Sequence, residues 1–249
     1  MGYKTITQKC EDYATPVDAP AYGPQPTIYR GVVFNYVYFK TDARNIAPLL
    51  PAPFEACEEG LCAAFSIDVP FSSCYGPFKE MGLVVQVTWN GKKCFYLPAL
   101  YLNNDSAIAA GREIYGSPKK LAEVTTFEGN ETFTATCRRS GVDFLTITTK
   151  ITGPGKEGDF VPVFPCYNLK MIPSIEGPWP EVKQITSCGV DNPVTHSMYQ
   201  CAGTVELKPS CNSEIWRLQP TEIIGASRFC MDYEQGWGKI EYDYLKDKK

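Results

Sequence analysis

The stretch NNDSAIAAGREIYGSPKKLAEV, residues 103–124, sets a helix start, two helix breakers and two adjacent lysines ahead of a run that reads as β-structure. Asp105 can cap a helix, Ala107, Ile108 and Ala109 propagate it, and Gly116 can end it. Lys119 and Lys120 then follow Pro118, with LAEV returning to a strand, so their backbone is positioned on both sides. The chain's other lysine pairs, Lys92-Lys93 after a hairpin turn and Lys248-Lys249 at the end, are ordinary solvated features. If Lys119 and Lys120 are extended, they point to opposite faces and only one enters a given cavity. If Pro118 instead opens a helical turn capped by Ser117, both lie at its positive end, where a second cation is disfavoured. Either geometry discourages protonation of at least one amine. A free lysine, with a pKa of about 10.4, is neutral in only about one molecule in 2,500 at pH 7, and bringing it near neutrality takes roughly 5 kcal/mol. Burial or a neighbouring cation can supply that, and a neutral lysine attacks ketones to form a Schiff base.

Outward from this stretch, β-signals dominate. Ile28–Phe39, Leu61–Val69, Leu83–Trp89, Thr132–Cys137 and Asp143–Ile151 are rich in β-branched and aromatic residues and are bounded by Gly, Pro or Asn. Later strands are expected in YNLKMI, VTHSMYQCAGTVEL and SRFCMDYE. Asn90-Gly91 and the EGNE around Gly129 mark hairpins. A second short helix is expected from Thr41 or Asp42, cut by Pro48. The pattern predicts a mainly β protein with a few short helices, its antiparallel sheet closed or partly closed. Residues 1–26, with four prolines after Ala14, read as an extended arm, and 27–249 as a single domain.

Composition removes many functions. A chain of 249 residues, 44% apolar and 13% aromatic, can bury a sizeable core. The formal charge of −4, with scattered lysines and arginines, argues against a nucleic-acid partner. There is neither a long apolar run nor a secretory leader in MGYKTITQKCEDYATP, so no membrane partner and a cytoplasmic location are expected. Ile6 stands where a myristoylation motif wants Ser or Thr. The 11 cysteines include no C-x-x-C pair and read as small buried hydrophobes, not zinc ligands. His196 is the only histidine and reads as packed or surface-exposed, which removes most triads and multi-histidine metal sites.

The quoted stretch resembles the active-site segment of the acetoacetate decarboxylase family, in which an acidic residue, small residues and G-R-E precede P-K-K-L-A. YRGVVFNYVYFKTDARNIAPLLPAPFE is similar to the family's N-terminal strand, helix and P-x-P loop. CYNLKMIPSIEG is similar to its P-x-Y-x-L-K-x-I-P stretch, and IEYDYLK to its ending. The resemblance implies a cone-like antiparallel β-barrel, a homo-oligomer, and a Schiff-base lysine in a largely apolar interior with neither metal nor organic cofactor. It makes Lys119 the nucleophile and Lys120 its neighbour credited with lowering the nucleophile's pKa; acetoacetate decarboxylase is itself the known example of a lysine activated in this way. Arg30 matches a cavity arginine and Glu80 a cavity glutamate that carries protons. Arg112 and Glu113 match as well and read as structural partners of the lysine loop.

Two departures stand out. Phe65-Ser66-Ile67 replaces F-E-I, removing a carboxylate, and Ser117 stands where the family often has an aromatic residue. The pocket should be differently charged and roomier, with Asp68, Cys62 or Tyr115 as candidates to refill it. Arg30, Ser66, Ser117 and Tyr115 are therefore expected to contact substrate. The resemblance implies a lyase that decarboxylates a β-keto acid, acetoacetate-like or larger. An aldolase-dehydratase or cyclase using the same iminium on another keto substrate stays open, as does a barrel that only binds a small apolar ligand.

Overall fold

The computed structural model describes residues 20–159, 163 and 165–246. Most of the expected N-terminal arm, residues 1–19, lies outside the described residues. What is described of it packs on the domain: Tyr22 is buried, and the Cys74 thiol donates to the Pro24 carbonyl at 3.1 Å.

The strands are β1 Thr27–Lys40, β2 Glu55–Ala56, β3 Leu61–Val69, β4 Phe71–Ser72, β5 Phe78–Trp89, β6 Lys92–Leu102, β7 Lys119–Leu121 and β8 Glu123–Gly129. They continue with β9 Thr132–Arg139, β10 Val142–Pro154, β11 Cys166–Pro173, β12 Pro180–Ser187, β13 Asp191–Leu207, β14 Glu222–Gln235 and β15 Lys239–Asp243. All 15 join one sheet in the order β15-β12-β11-β6-β5-β3-β1-β14-β13-β10-β9-β8, with β2, β4 and β7 added beside β5, β1 and β6. The sheet curls into the cone-like barrel without its hydrogen bonds closing the ring. Pairing is antiparallel except at β6, whose one edge takes both β11 and β7 in parallel.

Alternation along the strands builds two apolar clusters. On β1, Val37 and Phe39 face one cluster with Tyr101, Phe144 and Ile185; Phe34, Tyr36 and Tyr38 face the other with Phe65, Phe78 and Leu100. Phe39 and Phe144 are fully buried, so truncation of either to alanine would cost about 3–5 kcal/mol. The Asn90-Gly91 turn has φ of 50° and 71°, as a two-residue hairpin loop requires. The next expected hairpin turns one residue later, at Asn130-Glu131, with Gly129 still paired to Thr132. A third tight hairpin at Ser140-Gly141 was not expected.

Candidate active site

The segment that carries the two adjacent lysines begins with a helix over Asp105–Ala110, capped by Asn104 instead of Asp105: the Asn104 carboxamide oxygen accepts from the Ala107 amide. The helix widens into a π-turn over Gly111–Tyr115 and stops at Gly116, whose φ of 71° is left-handed. Such widened turns recur at functional sites, because they re-aim the residues that follow. A Cβ on Gly116 would come within 2.4 Å of the Lys170 backbone, so the turn packs directly on β11. The Ser117 amide then donates to the Gly111 carbonyl at 2.9 Å, and Lys119 enters β7 opposite Leu100 of β6.

Because β7 is extended, its two lysines part company. Lys119 turns into a cavity of ≈ 160 Å³ whose lining includes Phe34, Tyr36, Phe65, Phe78, Leu100 and Glu80. Its Nζ lies 3.3 Å from Glu80 Oε2, and both side chains are only 13% exposed. The contact is one of charge and distance, because Glu80 Oε2 has no aligned hydrogen-bond donor among the described residues. The Phe78 ring lies 5.7 Å from the same nitrogen. Gly111 makes the path: a Cβ there would sit 2.4 Å from Lys119 Cδ.

Lys120 faces the other cluster. Its ammonium donates to the Asn212 carbonyl at 2.5 Å and lies 5.9 Å from the Tyr101 ring. Burial, then the charges of Arg139 and Arg112, hold its pKa below the usual lysine value. Arg112 supports the loop, its guanidinium reaching the Lys119 carbonyl at 3.3 Å. Glu113 accepts the Tyr22 hydroxyl at 2.7 Å.

Ser117 and Tyr115 line the cavity. The Tyr115 hydroxyl is committed to the Gly236 carbonyl at 2.7 Å. Arg30 and Ser66 do not line it. A bulge at Gly31, with φ of 63°, shifts the register between Tyr29 and Val32, so Tyr29 enters the cavity while Arg30 turns outward, 3.7 Å from Asp232. Ser66 alternates with Phe65 and Ile67, which face the cavity, and is buried on the opposite face of β3, across from Asn35. The expectation that both contact substrate is corrected on those grounds. Of the candidates to refill the missing carboxylate, Asp68 pairs with Lys79 at 3.0 Å and Cys62 belongs to the other cluster. His196 is exposed and pairs with Asp232 at 2.9 Å.

Sequence reading missed most of the wall. Tyr29, Tyr75 and Tyr233 line the cavity, as do Cys166, Asn168 and Cys188. Burial pushes the Tyr29 and Tyr233 phenols far up, with the Glu80 charge adding to it, so both are neutral donors. Burial also raises the Cys166 and Cys188 thiols, the Lys119 charge opposing this at Cys188. These residues are remote from one another in sequence; Tyr29, Cys166 and Asn168 sat in stretches already quoted and Tyr233 in an expected strand, but no local pattern marked them as sharing one cavity.

The model of the family described as acetoacetate decarboxylase matches residues 13–245. The chain belongs to that family. It is 27% identical over 240 residues to acetoacetate decarboxylase 3 of Mesorhizobium japonicum, covering 94% of this chain and 92% of the relative. It is 28% identical over 240 residues to acetoacetate decarboxylase of Clostridium botulinum, covering 93% and 95%. The crystal structure of acetoacetate decarboxylase from Legionella pneumophila superposes with a TM-score of 0.87 at 25% identity, covering 98% of this chain and all of that one. Among the described residues no group of three or more His, Cys, Asp or Glu is placed to hold a metal ion, and no helix is long and apolar enough to cross a membrane.

Proposed function

We propose that this member of the acetoacetate decarboxylase family is a Schiff-base carboxy-lyase acting on a β-keto acid, with Lys119 as nucleophile. The observation that carries the reading is the Lys119–Glu80 pair at 3.3 Å inside an aromatic cavity. An ammonium cannot attack a carbonyl, and Glu80 is the carboxylate within reach of its proton. Transfer converts a buried ion pair into a neutral amine and a neutral acid, which spares the apolar cavity two charges.

The amine adds to the ketone carbon and gives a carbinolamine. Protonated by Glu80, its hydroxyl leaves as water, and an iminium links Lys119 to the substrate. The bond between the α-carbon and the carboxylate then breaks. Its electron pair flows into the iminium, carbon dioxide departs, and an enamine remains. Glu80, reprotonated from solvent, delivers a proton to the enamine carbon, and water hydrolyses the new iminium to release the ketone. Decarboxylation consumes the carboxylate's charge, so a site with neutral walls favours the neutral product over the anionic ground state. With Arg30 turned outward, the described cavity lining contains no arginine, and Lys119 is its one cationic residue.

Oligomerisation belongs to the same reading. It is supported by the exposed Trp237, just before the edge strand β15, and Ile240 on that strand, at 69% and 58%.

The test is carbon dioxide release from a panel of 3-oxo acids. Lys119→Ala should fall to the uncatalysed rate, and Glu80→Gln should lose about 10²–10⁴-fold in kcat. Undiminished release from Lys119→Ala would overturn the assignment. Release of water or an aldehyde without carbon dioxide would move the chain to the aldolase-dehydratase reading.

A further inference from the structure

Arg112, Lys120 and Arg139 gather around β7, outside the lining of the cavity that holds Lys119, and none of them meets a carboxylate among the described residues. Their neighbours do: Arg138 binds Asp143 at 2.6 Å, and Lys208 lies 3.4 Å from Glu206. Lys120 feels the imbalance. Burial, then the charges of Arg139 and Arg112, lower its pKa, and only the Cys211 thiol opposes them among the described residues. Three cations this close cost the fold free energy that an anion among them restores.

A ring of contacts fixes the three groups. The Ala122 amide donates to the Leu102 carbonyl, so alternate positions of β7 face β6, and the carbonyls of Lys119 and Leu121 face away from it. Arg112 donates to the first of these at 3.3 Å and Arg139 to the second. Two residues apart on an extended strand, the carbonyls stand about 6.6 Å from each other and hold the guanidiniums at a comparable spacing. Lys120, between them in the chain, donates to the Asn212 carbonyl at 2.5 Å. Cys211, next to Asn212, lies 3.0 Å from the hydroxyl of Ser140, which follows Arg139 and closes the ring. Arg112 is exposed, and Lys120 and Arg139 are partly so. An arginine has five N–H donors and a lysine three, so each group keeps donors beyond the carbonyl it holds.

We infer that Arg112, Lys120 and Arg139 form a binding site for a phosphate-class dianion, either inorganic phosphate or the phosphoryl group of a monoester. A tetrahedral oxyanion offers acceptors on several sides at once. It takes a charge-assisted hydrogen bond of about 2.8 Å from each guanidinium and bridges a gap of this size. A monocarboxylate presents two oxygens in one plane and half the charge. The site abuts the strand that carries Lys119 but stands without the Schiff-base reading.

The experiment is isothermal titration calorimetry of the full chain with inorganic phosphate and, separately, with glycerol phosphate, against sodium chloride of equal ionic strength. One phosphate per chain is expected to bind, with no saturable heat from chloride. Arg139→Gln should weaken binding at least about tenfold, the loss of a charge-assisted hydrogen bond. Arg138→Gln removes the same charge one residue away, from the pair with Asp143, and should stay within about twofold of wild type. Phosphate should raise the melting temperature of the wild type and not that of Arg139→Gln, which keeps the comparison valid for a variant of altered stability. Tighter binding of glycerol phosphate makes a monoester the occupant, and tighter binding of inorganic phosphate makes it the free ion. No saturable heat from either, or equal losses in the two variants, overturns the inference. A wild type that takes no phosphate, with an assembly that dissociates in Arg139→Gln, overturns it in favour of carboxylates from a second copy.

Discussion

At the scale of the residue, the site depends on a side chain that is not there. Gly111 has ordinary helical dihedrals, φ −60° and ψ −41°, so an alanine suits its backbone and is intrinsically better in a helix by about 1 kcal/mol. The obstacle lies outside the backbone, in the stem of Lys119, which a new methyl would meet at 2.4 Å. Gly111→Ala should therefore leave the melting temperature within a few degrees and yet lower kcat/KM by about 10²-fold, the effect of displacing a reacting group by an ångström. Steady-state kinetics beside a thermal melt checks this, and unchanged kinetics would contradict it. Sequence reading found Lys119, Glu80, Ser117 and Tyr115 but misplaced Arg30 and Ser66. Both came from the resemblance; in this chain the bulge at Gly31 turns Arg30 out of the cavity face, whereas Ser66 lies on the regular strand β3, on the face opposite Phe65 and Ile67.

At the scale of the element, β7 acts as a sorter. Three residues of extended chain, Lys119–Leu121, send one amine into the cavity and the next toward Tyr101, Asn212, Arg112 and Arg139. Lys120 consequently has a pKa lowered by burial and by two guanidinium charges. Between its folded value and the ordinary value near 10.4, the unfolded chain binds more protons at this position, so its contribution to stability rises with pH. Lys120→Met removes that dependence. Denaturant midpoints measured from pH 7 to about 10 should show the wild type gaining on Lys120→Met as pH rises, and a constant gap would contradict the burial. The strands themselves were legible, β3 to the residue, because their β-branched and aromatic runs end at Gly, Pro or Asn. The short β7 and the strand β12 carried too few such residues to stand out. The helix cap shifted by one because Asn104 and Asp105 are both competent caps and only the tertiary setting chooses between them.

At the scale of the whole molecule, the barrel's two faces divide the labour. One cluster, built around Tyr101, Phe144 and Ile185, is packed solid and anchors the sheet. The other is lined by aromatic rings and left partly hollow, and the Lys119–Glu80 pair sits in its wall. The mainly β class was legible from local pattern, whereas the cone-like form rested on the resemblance. The cavity was not legible, since its wall gathers Tyr29, Phe65, Phe78, Asn168 and Tyr233 from five separate strands, and no local period records that convergence. In the reaction proposed above, a carbonyl bonds covalently to the amine held in the hollow face. The decisive measurement is borohydride reduction of the protein with a 3-oxo acid or its ketone product, followed by peptide mass mapping. A reduced adduct on Lys119, absent from Lys119→Ala, is the predicted result; an adduct on Lys120 alone, or none across the panel, would contradict the account.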